Sequence, residues 1–483
     1  MTKTIIEQLA EFTTQTTFDQ LPPDVVNECK RAMLDSIGVA VAGLDHPKGI
    51  SGVDYGRMVG GGNGQATIIG TGERMSVVGA AFANAELINA LDMCNVTPPG
   101  HVTPYVFPGA MAVGEELGSS GKELIVALAV AHEISIRFGK TLANQRDTSG
   151  GKVIPVKVFG NSSGIFGATA AIGRMKGYST TMLAHALGIA AYISPVNSQV
   201  SWFKHLPSST VKYIYAGMLV QQALTSAFSA EVGHTGDWQV LDDAEYGYSV
   251  FISSPKWEPV HLTQNLGSEW RFPAGTSYKP YPHCRVPQTA FDCVVQIVKE
   301  NNLKPNEIES IDAFVEAIAN QPVWYNRKID CVQDAQFSMA HGIATAAHLF
   351  PLGKIWQAPE TVFSDSVMGL MSRVTVGADP DFGKLLEEDP ASRPARVEIH
   401  ARGQKFVAQK RYPKGSPTVD PSTFMTNEEL IQKFRNNCAG VLPQANIDQI
   451  VHDVMNLENV SNIAAIARLM GPAIAAPASV AAE

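Results

Sequence analysis

From the N-terminus to about residue 265 the apolar positions recur every three or four residues, and the segments that carry them end on Gly, Pro or Ser. The stretches VVNECKRAMLDSIGVAVAG (25–43), VVGAAFANAELINALDM (77–93), KELIVALAVAHEISIRFGK (122–140) and TTMLAHALGIAAYI (180–193) show this spacing, which lines one face of a helix with apolar side chains. The opening MTKTIIEQLAEF has it too, with acids interspersed, and reads as an amphipathic helix instead of a secretory signal. Small residues dominate these stretches, so the predicted helices can approach one another closely.

The pattern changes after the aromatic, turn-rich segment 254–275. Residues 285–302 and 334–349 are predicted as helices, and 308–319 as a strand. The segment 395–413 is predicted as two alternating strands joined by a turn at Arg402 and Gly403. Helical spacing returns at 427–442, 446–460 and 461–470, ahead of an Ala/Pro-rich end expected to be a disordered tail. The resulting division is 1–268 helical, 269–412 α+β, 413–470 helical and 471–483 tail. The last helices are expected to pack back onto the first domain.

Length and charge narrow the function classes. A chain of 483 residues exceeds what one growing core supports, so two domains are expected. Hydrophobic residues at 45% and charged residues at 17% describe a folded globular protein. A formal net charge of -9 repels nucleic acid and anionic membrane, so an anionic ligand must be held by a few local cations. The apolar run 124–136 is interrupted by His132 and Glu133 well short of a membrane span. Six cysteines with no CxxC pair and no zinc spacing argue against a disulfide framework or a metal centre. The cytoplasm is the expected location. The glycine-rich run 59–72 lacks the strand and helix setting of a nucleotide site and is read as a loop.

Several stretches in order along nearly the whole chain are specific together: AMLDSIGVAVAG (32–43), AAFANAELINALD (80–92), a histidine at 101, AHEISIRFGK (131–140), GIFGATAAIGRMKGY (164–178), VKYIYAG (211–217), YKPYPHC (278–284) and DAQFSMAHGIA (334–344). In these the chain resembles the MmgE/PrpD family, whose members are dehydratases, decarboxylases and epimerases of small carboxylic acids. The resemblance implies a mainly α fold: a large all-helical domain formed from both chain ends plus a smaller α+β lid, with the site between them. It also implies a homodimer, no cofactor, and a small carboxylate as substrate.

Asp92 follows an Ala-rich helix, where a carboxylate either caps the following loop or faces a cleft. His101 lies in the turn-rich loop PPGHVTP, and an imidazole there needs little tuning to act as acid or base at neutral pH. The resemblance adds Lys212 and Lys279, which would converge on one pocket, bind carboxylates and stabilise an enolate, and Tyr281 to orient a carboxylate. Asp92, His101, Lys212, Lys279 and Tyr281 are thus the candidate catalytic residues, and no metal ligands are assigned. Asn95, His283, Cys284, Arg285 and Gln288 are candidate substrate contacts. Positions where the dehydratases and decarboxylases carry histidine fall on Val158 and Gln288, neither of which transfers a proton.

The expected activity is a cofactor-independent lyase, dehydratase or decarboxylase, acting on a di- or tricarboxylate by proton transfer beside a carboxylate. An isomerase or epimerase of an acidic substrate is the alternative, and a non-catalytic relative that has lost acid–base groups is a second. Lys212→Met and Lys279→Met are each expected to abolish turnover with little change in the melting curve.

Overall fold

The computed structural model describes residues 2–143, 146–158, 160–196 and 198–472. The tail expected at 471–483 lies outside the described residues from 473 onward.

Helices form where the amphipathic runs predict them, and local chemistry sets their starts. Ile5–Gln15, Gly121–Thr141 and Asn427–Cys438 each open with a capping box, in which a Thr or Ser hydroxyl and a Glu three residues later satisfy each other's backbone N–H groups. Pro23–Ala42 starts on a proline, whose missing N–H costs nothing in a first turn. Val77–Ala90, Thr103–Leu117, Gly164–Met175, Thr180–Tyr192 and Ala216–Glu231 complete the main helical layers. Close approach depends on small residues: a Cβ at Gly167 would lie 2.3 Å from Ser135 Oγ and 2.5 Å from the Ala131 carbonyl.

His132 and Glu133, which break the apolar run, are fully buried. Glu133 accepts from Arg137 at 2.6 Å and from the backbone N–H groups of Arg271 and Phe272, while Arg137 donates to the carbonyls of Gln264 and Glu269. The buried pair therefore ties the segment leading into the lid to the helical core, at a desolvation cost that these hydrogen bonds offset. No helix among the described residues is long and apolar enough to cross a membrane.

Both chain ends build the helical domain. Helices Asn427–Cys438 and Gln444–Met455 pack on Pro23–Ala42. Arg31 donates to Asn427 Oδ1 at 2.5 Å, and Lys30 donates to the Met455 carbonyl. Phe434 lies directly over Gly38, where an added Cβ would meet its ring carbon at 2.9 Å and its Cα at 3.2 Å. Gly38→Ala is expected to lose about 1–3 kcal/mol through this overpacking, read as a lower midpoint in denaturant; an unchanged midpoint would mean that the two ends pack loosely.

The lid carries one four-stranded sheet. Ile308–Val315 is central, parallel to Val374–Ala378 and antiparallel to Ala395–Ala401, which continues into the edge strand Gln404–Lys410. The predicted turn is present, with Arg402 and Gly403 at φ 54° and 67°, the left-handed pair that matches a two-residue hairpin to the strand twist. Ala395, Val397, Ile399 and Ala401 face inward, towards the layer that includes helix Gln288–Glu300.

Two expectations are corrected, and one strand was not predicted. The single helix read over 334–349 is two pieces, Val332–Ala335 and Met339–Ala347, because Ser338 leaves the helix and caps the second one. The glycine-rich run 59–72 contains the strand Gly62–Thr67, paired with Arg74–Met75, and is not a plain loop. The strand 374–378, only five residues long and ending in Gly-Ala, carried too little alternation to be read.

Candidate active site

Asp92 is where helix Val77–Ala90 lets go of its axis: the chain turns through a left-handed residue at φ 51°, a conformation Asp tolerates better than most side chains. The loop that follows is then pinned to the lid. Val96 and Ser277 exchange backbone hydrogen bonds of 2.8 Å in both directions, and Thr97 and Thr276 share a hydroxyl contact of 3.0 Å. Because Lys279 lies two residues beyond Ser277, this bridge brings its ammonium to Asp92, 2.7 Å from the carbonyl and 3.0 Å from Oδ2.

Lys212 arrives from a different segment, also through a left-handed residue, at φ 55°. Its ammonium donates to the carbonyls of Asn89 at 2.5 Å and Ala90 at 3.1 Å, at the negative end of the helix that precedes Asp92. It lies 3.9 Å from Asp92 Oδ1. The same oxygen takes the Tyr213 hydroxyl at 2.8 Å and has His101 Nε2 at 3.7 Å. The His101 ring stacks on Tyr213 with centroids 4.7 Å apart, and its Nδ1 is 3.1 Å from Cys94 Sγ.

Asp92, Cys94, Lys212, Tyr213 and Lys279 are buried, His101 is mostly covered, and burial sets the electrostatics. It alone would raise the Asp92 carboxyl, but Lys279, Lys212 and His101, with the Tyr213 hydrogen bond, outweigh it and hold the group well below the usual carboxylate range. Burial, reinforced by the Lys279 charge, lowers His101 to about 3 against the pull of Asp92, so the imidazole is neutral at working pH. Burial also lowers Lys212 to about 7, against the attraction of Asp92 and with Lys48 adding to the depression. The Cys94 thiol is pushed up to about 12, mainly by burial.

Beside this cluster opens a cleft of about 660 Å³ between the helical domain and the lid. Asp92, His101 and Tyr213 are on its wall, as are Asn161, Trp202, Cys284, Arg285 and Trp324. Arg146 and Arg393 line it as well, each ion-paired with the buried Glu316, at 2.8 and 3.5 Å. Lys212 and Lys279 stand behind the wall formed by Asp92 and are fully buried.

Of the residues singled out in the sequence, Asp92, His101, Lys212 and Lys279 come together within 4 Å of one carboxylate. The others divide. Cys284 and Arg285 reach the cleft; Arg285 is anchored on the Lys414 carbonyl and the Ser416 hydroxyl, and burial lowers it to about 9. Tyr281 does not: its hydroxyl donates to Asp292 at 2.8 Å and its ring packs between Phe291 and Trp356 in the lid. Gln288 is also turned inward, donating to the Tyr281 and His283 carbonyls and so fixing the PYPHC turn. His283 is buried against Phe291 with Nε2 at the Ser338 carbonyl, and burial lowers it to about 3. Asn95 is buried behind the loop, its backbone N–H on Asp35. Val158 lines a separate groove with Tyr192 and Phe251, whereas Asn161, three residues on, lines the main cleft.

The chain matches the model of the MmgE/PrpD N-terminal domain over residues 7–260 and that of the MmgE/PrpD C-terminal domain over residues 281–457. It is 21% identical to a cis-aconitate decarboxylase of Aspergillus terreus, across 98% of this chain and 97% of the relative. The mouse and human cis-aconitate decarboxylases are 22% and 24% identical, over 99% and 98% of this chain and 96% of each relative. With both family domains matched in sequence and a helical body carrying an α+β lid, the chain belongs to the MmgE/PrpD family.

Proposed function

We propose that this chain is a cofactor-independent lyase acting on a small di- or tricarboxylate, and that the bond it breaks joins carbon to a carboxylate. The observation that carries this is the charge count at Asp92: two ammonium groups against one carboxylate leave one positive charge unmatched in a buried site. Such a charge is costly until an anion arrives. On the cleft wall Arg285 adds to the same field, and Arg146 and Arg393 share a single carboxylate, Glu316, between them.

Decarboxylation suits this set better than proton abstraction. Asp92 is held ionised by its partners and is a weak base, and the other carboxylate on the cleft wall, Asp389, is engaged by the Tyr412 hydroxyl at 2.6 Å. When carbon dioxide leaves, the bonding electron pair passes into the remaining unsaturated acid as an enolate, which a buried positive field stabilises. The carbon left behind takes up one proton. Lys212, lowered to about 7, is the group in the cluster that can release one near neutral pH, and it reaches the cleft by way of Asp92 Oδ1, 3.9 Å away on the wall. The curated relatives favour the same bond.

The test is incubation of the purified protein with cis-aconitate and a panel of unsaturated and hydroxylated polycarboxylates in D2O, followed by NMR. The expected result is release of carbon dioxide with one deuteron on the carbon skeleton of the product. Deuterium exchange without loss of carbon dioxide, or release of water alone, would replace this reading with an epimerase or a dehydratase.

A further inference from the structure

The contact between Cys94 and His101 decides which way round the imidazole carries its proton. His101 lies at the cleft wall with most of its ring covered and is neutral there, so one ring nitrogen bears hydrogen and the other a lone pair. Nε2 faces Asp92 Oδ1 at 3.7 Å, and an ionised carboxylate only accepts hydrogen bonds. The hydrogen therefore belongs on Nε2. Nδ1 is then the acceptor, and the atom opposite it at 3.1 Å is the Cys94 sulfur, whose S–H is the donor in reach. Both contacts select the same tautomer, and a thiol pushed up in pKa keeps its proton to donate. The groups facing His101 are Asp92, Lys279, Lys212, Cys94 and the Tyr213 ring.

We propose that Cys94 is a positioning residue that holds His101 in the Nε2–H tautomer, so that the histidine presents a hydrogen-bond donor to the cleft and not a base. This rests on the lyase reading for its chemical meaning. In that reading a neutral Nε2–H bonds the carboxylate or enolate oxygen of the substrate, while Cys94 itself touches no reacting atom. It also explains how the site works with cysteine at this place in the loop: an anion beside Nδ1 would instead draw hydrogen onto Nδ1 and leave two acceptors, Nε2 and Asp92, facing each other.

The test uses the full chain with 15N-labelled histidine and the variants Cys94→Ser and Cys94→Val. In the wild type, Nε2 of His101 is expected at the shift of a protonated ring nitrogen and Nδ1 at that of a bare one. Cys94→Ser keeps a donor and is expected to retain both shifts and kcat within about threefold, whereas Cys94→Val is expected to mix the tautomers and lower kcat about 10- to 100-fold with KM nearly unchanged. A wild-type Nδ1–H signal, or a Cys94→Val protein with wild-type shifts and kcat, would overturn the proposal. The nitrogen shifts are read without substrate, so absence of decarboxylation overturns the lyase reading alone.

Discussion

Lys279→Met is expected to lose about 3–5 kcal/mol of folding stability, together with about 10²–10³-fold in kcat/KM. Its ammonium is fully buried and contacts Asp92 through both the backbone carbonyl and Oδ2. Methionine fills similar volume but leaves a buried carboxylate with Lys212 at 3.9 Å as its nearest full charge. Activity falls because one of the two ammonium charges behind Asp92 is removed. Stability falls because an ion has lost its partner, which corrects the sequence-based expectation of an intact melting curve. The double variant Asp92→Asn/Lys279→Met is expected to recover most of the stability and none of the activity, in urea unfolding and turnover assays respectively. If Lys279→Met melts like the wild type, Asp92 is not the buried anion described above.

The second large effect is on pH. Lys212 serves charge stabilisation and proton delivery only as an ammonium, and an ammonium exists below its pKa. With that value lowered to about 7 by burial, kcat/KM is expected to be level below pH 7 and to fall about tenfold per unit above it, a loss of about 100-fold by pH 9. A site using Lys212 as a base would show the opposite slope, rising through pH 7. Linkage adds an independent measure: an anionic ligand stabilises the charged form, so binding near pH 8 is expected to take up protons from the buffer. Calorimetry in buffers of different ionisation enthalpy reads that uptake directly, and a ligand that binds without it would remove Lys212 from the anion site.

The helical body was legible because its Ala-rich runs keep a 3.6-residue period over long stretches, and 395–413 because strict alternation flanks a turn residue pair. The site was legible only in part. Asp92, His101, Lys212 and Lys279 are recognisable through the stretches they share with the family. Which side of the PYPHC turn each residue faces is decided by packing: the backbone sends Lys279 to Asp92 and Cys284 to the cleft, but commits Tyr281 to Asp292 inside the lid. Arg146, Asn161, Trp202 and Arg393 belong to segments with no motif and meet only in the folded chain. Tyr213 had one available signal, its position directly after Lys212.

The wall that carries Asp92 is propped from behind by a residue more than three hundred positions later. Lys433 donates to Asp35 at 2.6 Å and to the Met93 carbonyl at 2.9 Å, and Asp35 in turn takes the Asn95 N–H. Every residue on the cleft wall, up to Val419, is therefore synthesised before the strut beneath them. Loss of the segment from residue 427 onward is expected to withdraw competence for turnover while leaving every group on the cleft wall in the chain.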